Sequence, residues 1–262
     1  MKNTNEDCVN CFVISLHDAI DRRKHIIDEF GKAQVDFDFF DALRPNEAKQ
    51  ALLEISINCD LERLSPGEKA CLASHVVLWK KLLESKQEFY LVFEDDVFLG
   101  KDAAQFFNEI EQYLAEVDLI KLETFQEKVL LGRRKTTIFN RNLSLLKSGH
   151  SGTAGYLVTR AGAKKLIDYL NTNNQIMPAD HYMFEDVAKE FDFTTYQVEP
   201  ALCIQEKVLL EECQLSNSLD QARENWILVK SKKSLIRRIL RELRRFLLKQ
   251  KLKYFSKIVD FK

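Results

Sequence analysis

Phe89-Tyr90-Leu91-Val92-Phe93-Glu94-Asp95-Asp96-Val97 is the stretch that decides the fold class. Five aromatic or apolar residues run directly into three carboxylates. An apolar run this short, aromatic and β-branched reads as a buried strand. The carboxylates then fall at the strand's C-terminal end, where open α/β sheets bind ligands. Three adjacent negative charges repel one another, so two readings stand: a bound cation neutralises them, or they form a solvated acidic turn. Carboxylate oxygens suit Mg2+ or Mn2+, which are often shared with a substrate's phosphates.

On the N-terminal side, Phe12 to Leu16 reads as a first strand. A helix is expected from Asp18 to Phe30, with Asp18 as N-cap and Gly31 at its end. Val35 to Phe40 follows as a second strand, and Asn46 to Leu53 as a helix. Ser65-Pro66-Gly67-Glu68 opens another helix, because Ser65 and Glu68 have capping-box spacing and proline fits the first turn. On the C-terminal side the expected order is helix (Lys101 to Leu114), strand (118–122), strand (to Val158), helix (Thr159 to Tyr169, capped by Thr159) and strand (Phe193 to Val198). Gln126 to Gly149 is irregular in pattern and reads as a mobile loop with a short hairpin near Thr136 to Phe139. Strands alternating with helices predict an α/β protein with a mainly parallel, doubly wound sheet.

The 262 residues, 45% hydrophobic and 30% charged, suit a globular chain. Eight glycines and four prolines are too few for a low-complexity or collagen-like protein. The polar N-terminus has no signal-peptide core, and no apolar run reaches membrane-span length, so a cytoplasmic location is expected. Cys8 and Cys11 form a C-x-x-C that no second pair completes, and the six cysteines read as reduced thiols. The net charge of −1 hides an asymmetry: Lys230 to Lys262 carries 13 Lys/Arg against Glu242 and Asp260. From Ser234 onward, Leu235, Ile236, Ile239, Leu240, Leu243 and Leu247 recur at helical spacing, with arginines opposite. This predicts a domain over 8–228 and a basic amphipathic helical tail over 229–262, suited to an anionic inner-membrane surface or to pairing with a second copy. The alternative for the tail is a helix packed on the domain with a solvated basic face. No nucleic-acid motif accompanies the charge, so nucleic acid is not an expected partner.

Four segments together resemble glycosyltransferase family 25, the lipooligosaccharide and lipopolysaccharide-core transferases related to procollagen galactosyltransferases. They are Phe12 to Leu16 with Asp21-Arg22-Arg23 and Phe40-Asp41-Ala42; Leu64 to His75 with Trp79; Phe93 to Val97; and Gly152 to Tyr156 with Gly162-Ala163 and Pro178-Ala179-Asp180. Each is weak alone, but their order and spacing make the match specific over about residues 10 to 200. Ser15 and Ser65 stand where the family more often has Asn and Thr, and Gly155 stands where Ala is usual.

The resemblance implies a GT-A-type, Rossmann-like fold and an inverting, cation-dependent transfer of galactose or glucose from UDP-galactose or UDP-glucose to a lipid-linked oligosaccharide. In that role Ser15, Arg22, Asp41, Glu94, Asp95, Gly152 and Thr153 are the donor-binding candidates. Asp96, Glu94 and His181 are the candidate ligands for Mn2+ or Mg2+, with His75 as an alternative. Asp180 is the first candidate for the base that deprotonates the acceptor hydroxyl, and Glu185, Asp186 and Glu68 are the alternatives. The competing functional readings are a membrane-associated sugar-nucleotide-binding protein without turnover and a nucleotidyltransferase. The intact carboxylates oppose the first. The missing glycine-rich phosphate loop between Asp18 and Lys24 opposes the second.

Overall fold

The computed structural model describes residues 10–172, 176–189, 192–210 and 254–262. In chain order the elements are β1 (Cys11–Ser15), α1 (Ile20–Ala33), β2 (Asp38–Asp41), α2 (Ala48–Glu54), α3 (Pro66–Glu84), β3 (Phe89–Glu94), β4 (Val97–Leu99), α4 (Ala103–Ile110) and β5 (Leu119–Lys121). They continue with β6 (Lys128–Val129), β7 (Leu131–Ile138), β8 (Arg141–Leu146), β9 (Gly155–Thr159), α5 (Arg160–Thr172), α6 (Ala179–His181), β10 (Thr195–Glu199), β11 (Cys203–Gln205), α7 (Glu206–Leu209) and β12 (Lys257–Ile258).

Eight strands form one mixed sheet in the order β2-β1-β3-β9-β5-β10-β8-β7. The β1–β2, β1–β3 and β5–β10 pairs are parallel, whereas β9 runs against both β3 and β5, and β8 against β10 and β7. Alternation along β3 explains why the sheet is covered on both faces. Tyr90 and Val92 enter one core with α3 and α5, while Phe89, Leu91 and Phe93 enter another with α1 and α4. Gly155 faces Phe93 across the β3–β9 pair, and a Cβ there would collide with Cys203 Sγ. The antiparallel β9 has a functional consequence. Its N-terminus lies beside the C-terminal end of β3, so the turn 151–154 reaches the same sheet edge as Glu94, and the Glu94 amide donates to Ala154 O at 3.0 Å.

The Ser65 cap is present in full. Ser65 Oγ accepts the Glu68 amide and Glu68 Oε2 accepts the Ser65 amide. Thr159 Oγ1 likewise accepts the Gly162 amide at the start of α5. Other expectations need correction. Asp18 does not cap α1, because its carboxylate is drawn to Arg44 at 2.7 Å. Gly31 lies inside α1, and Gln34 in the left-handed conformation closes it. Phe37 packs on Phe30 and Phe39, but backbone pairing of β2 begins only at Asp38. The segment 126–149 holds the hairpin expected near Thr136 to Phe139, with strands that take up most of what was expected as a mobile loop. It folds into the β7–β8 hairpin at the sheet edge, turning at Phe139 and Asn140, both with positive φ as two-residue hairpin turns require.

The predicted basic helix falls largely on residues outside those described. Its last stretch, 254–262, returns to the domain: β12 pairs with β6, the Ala201 amide donates to Asp260 O, and Val259 is buried. Among the described residues no helix is long and apolar enough to cross a membrane.

Candidate active site

The three acids at the end of β3 take three different environments. Asp95 is held by two partners: Ser15 Oγ donates to it at 2.7 Å, and the Arg22 guanidinium pairs with it. Arg22 also approaches Asp96 at 3.9 Å. Arg23, one residue on, turns away to pair with the exposed Asp41 and to cap the backbone carbonyls of Ser15 and Leu16. Asp41 therefore sits at the correct sheet edge but is tied to Arg23.

Glu94 accepts the Thr153 hydroxyl at 2.6 Å and faces His75 Nε2 at 3.7 Å. Burial alone would raise its carboxyl, but His75, Thr153 and Lys207 outweigh burial and hold it at about 2. Asp96, 6% exposed, behaves oppositely. Burial first, and then the Glu94 charge, push it up to about 6 against the pull of Arg22 and Gln205. Two close carboxylates of which one resists ionisation mark a place where added positive charge is favourable.

Beneath the 151–154 turn lies a fully buried ion pair. Lys121 Nζ donates to Glu123 Oε2 at 2.6 Å, to Ser151 O at 3.1 Å and to Gly152 O, and it stacks over Phe184. Glu123 Oε2 also accepts the Ala154 amide. Burial pushes the Glu123 carboxyl up to about 7 even against Lys121. Gly152 has φ +78°, and a Cβ would stand 2.7 Å from Glu123 Oε1. The turn is thus a strap fixed from below, with Gly152 N donating to Asp180 Oδ2 at 3.2 Å and Thr153 reaching Glu94.

The strap, the β3 end and α3 enclose a cleft with two lobes that share Cys71 and Glu94. The larger, about 520 Å³, is bordered by apolar Ile14, Leu16, Leu43 and Pro45 and by Arg22 and Arg44. The smaller, about 240 Å³, is lined by Glu68, Phe125, Gly152, Thr153, Asp180 and Lys207, among others. Asp180 is placed by the first turn of α6, its other oxygen accepting the His181 amide at 2.8 Å. Glu68 reaches the same lobe, but its carboxylate is tied to the Ser65 amide. Glu185 does not border either lobe and lies against His181 at 3.4 Å. His181 also faces Asp186, at 3.6 Å, so the structure does not bring it to Asp96.

The remaining donor set fits a hard divalent cation. Gln205 Nε2 bridges Glu94 Oε2 at 3.4 Å and both oxygens of Asp96 at 3.2 and 3.3 Å, while the buried Gln205 Oε1 has no hydrogen-bond partner among the described residues. Exchanging the two ends of the amide would turn that oxygen toward both carboxylates. Two carboxylates and an amide oxygen suit Mn2+ or Mg2+.

Gln205 and Lys207 escape a motif reading because nothing local marks them. The signal available was the apolar run Leu202-Cys203-Ile204, a short strand (β11) that ends at Gln205 as β3 ends at Glu94. Lys121 and Glu123 were hidden inside an apolar strand, where a charged pair reads as surface alternation.

The model of glycosyltransferase family 25 (LPS biosynthesis protein) matches residues 9–183. A putative glycosyltransferase of Haemophilus influenzae is 34% identical over 96% of this chain and 88% of its own. The lipooligosaccharide biosynthesis protein lex-1 of the same species is 33% identical over 87% of each chain. The lacto-N-neotetraose biosynthesis glycosyltransferase LgtE of Neisseria gonorrhoeae is 38% identical over 81% of each.

Proposed function

The chain belongs to glycosyltransferase family 25, and from that membership and the cleft we propose that it transfers a hexose, galactose before glucose, from a UDP-sugar to a lipooligosaccharide acceptor with inversion. The observation that carries this reading is that Glu94, Gln205 and Asp180 line one cleft, with Asp96 held behind Gln205, and that the cleft continues into an apolar lobe beside Arg22 and Arg44. The apolar lobe takes the nucleoside. Lys207 and Arg22 offer positive charge to the diphosphate. Glu94, Asp96 and Gln205 would hold Mn2+ or Mg2+, which when bound supplies positive charge where the departing diphosphate accumulates negative charge.

The acceptor hydroxyl enters the smaller lobe. Asp180 takes its proton as the new glycosidic bond forms and the bond from the anomeric carbon to UDP breaks on the opposite face. The strap fixes where that base stands, since the Gly152 amide donates to one oxygen of Asp180.

The test measures UDP release from a panel of nucleotide sugars with a truncated lipooligosaccharide acceptor, with Mn2+ or with EDTA. The expected result is turnover of one UDP-hexose that EDTA and Asp96→Asn abolish. Asp180→Asn should lower kcat by about 10²–10⁴-fold while leaving UDP binding intact. Full activity in EDTA would remove the cation from the mechanism. Release from no donor, with UDP still bound, would favour a binding protein without turnover.

A further inference from the structure

On α3, Cys71 and His75 stand one helical turn apart and face the end of β3, where their ligand atoms and a Glu94 oxygen all lie within 4.8 Å of one another. We propose that these three residues form a second metal site, distinct in chemistry from the Glu94–Asp96–Gln205 oxygen set, that takes Zn2+ and leaves its fourth position open to the cleft.

The donor set argues for the metal. A thiolate, an imidazole and one carboxylate suit a borderline-soft tetrahedral ion, whereas Mn2+ and Mg2+ prefer oxygen. The distances are close to those a tetrahedral ion needs. Bonds of about 2.0–2.3 Å place ligand atoms roughly 3.3–3.6 Å apart. His75 Nε2 and Glu94 Oε1 already stand at 3.7 Å, too long for a hydrogen bond and near the bite of a shared ion. The Cys71 thiol lies within 4.8 Å of both.

The surroundings support His75 as a ligand. Its other nitrogen, Nδ1, meets the buried Tyr156 hydroxyl at 2.8 Å, and Trp79 Nε1 donates to that same oxygen at 3.0 Å. When a metal displaces the proton from Nε2 and leaves Nδ1–H directed at Tyr156, the Nε2 lone pair faces Glu94 and Cys71. Partners behind a histidine that fix its ring and tautomer are the usual support of a metal ligand. Access is present as well, since Cys71 and Glu94 border both lobes of the cleft. On binding, the Cys71 thiol releases its proton to solvent as the metal–sulfur bond forms. Glu94 belongs to both sites, so Zn2+ here draws it from the oxygen set, and the two metals compete.

The experiment is a Co2+ titration of the full-length reduced protein, followed in the near-ultraviolet where thiolate-to-cobalt charge transfer absorbs. One equivalent of Co2+ should give the band, Zn2+ should remove it, and Mn2+ should not. The band should vanish in Cys71→Ser, and Tyr156→Phe should weaken Co2+ binding about 10-fold. A second measurement needs no variant: alkylation of Cys71, read by peptide mass, should slow at least about 10-fold when Zn2+ is present. No band in the wild type, a band that survives Cys71→Ser, or alkylation of Cys71 indifferent to Zn2+ would each overturn the proposal. None of these readouts depends on sugar transfer, so this site and the transferase reading fail separately.

Discussion

Gly152 and His150 sit at the mouth of the strap, and each answers to charge buried beneath it. Gly152 combines φ +78° with a neighbour 2.7 Å from any added Cβ. Gly152→Ala should therefore cost about 1–3 kcal/mol in urea unfolding, the sum of a left-handed backbone and a displaced carboxylate. It should also lower kcat more than it raises KM, because Asp180 loses its anchor; an unchanged kcat would detach the strap from the base. His150 is buried, with Nδ1 meeting Ser151 O at 2.7 Å. Burial first, and then the nearby Lys121 charge, lower its pKa from 6.5 to about 3. A lowered folded value means that stability is complete above about pH 6.5 and is lost as the unfolded chain takes the proton first. Between pH 7 and pH 4.5 this one group should remove about 2–3 kcal/mol. His150→Gln should flatten that part of the stability profile, and an equally steep profile in the variant would reject the assignment. Residue identity alone could name Gly152 and Thr153 as special, but His150, Lys121 and Glu123 become visible only when the strap is laid over them.

At the level of elements, α3 shows what local chemistry can specify. Its start was readable because Ser65, Pro66 and Glu68 carry the whole instruction within four residues. Ser65→Ala should cost about 1 kcal/mol by removing the hydroxyl that accepts the Glu68 amide, while the Glu68 carboxylate keeps the Ser65 backbone amide. Ser65→Thr should keep the wild-type thermal midpoint; if it does not, the cap acts through something other than its hydroxyl. The direction of β9 was not readable, since pairing sense depends on partners distant in sequence. A small-residue turn feeding a strand suits either direction. Only the antiparallel choice carries the strap to Glu94, so the least legible step in the fold is the one that assembles the site. The turn of the β7–β8 hairpin was anticipated near Thr136 to Phe139, but the length of its strands was not, for a related reason. Its edge strand is charged, as exposed edges commonly are, and it therefore lacks an alternating apolar pattern. Under β9, Lys121→Met should cost about 3–5 kcal/mol by leaving Glu123 buried without its partner. Adding Glu123→Gln should return part of that loss, an outcome that separates charge from packing.

Across the whole molecule, sequence reasoning placed the carboxylate edge correctly but set the domain boundary without seeing the return of 254–262. That return rests on contacts no periodicity announces. Thr124 Oγ1 donates to Val259 O at 2.6 Å, and Arg141 Nη2 donates to Lys262 O at 2.6 Å while its other nitrogen holds Pro200 O and Ala201 O. Deleting 254–262 should destabilise the protein by about 2–4 kcal/mol through the loss of buried Val259 and these bonds; an unaltered unfolding midpoint would show the return to be superficial. Replacing Arg237, Arg238, Arg241, Arg244 and Arg245 by Gln should weaken binding to anionic vesicles by up to about 1 kcal/mol per charge, with turnover of a soluble acceptor unchanged. Equal vesicle binding by the variant would reject a membrane role for the basic segment.

The return also changes what kind of object the basic segment is. It leaves the domain after α7, next to Gln205 and Lys207, and comes back at Val259, against Thr124 and beside Phe125. Residues 254–262 are therefore part of the wall around the smaller lobe: the Thr124–Val259 bond stands one residue from Phe125, so a change in this C-terminal stretch reaches the cleft without touching a carboxylate.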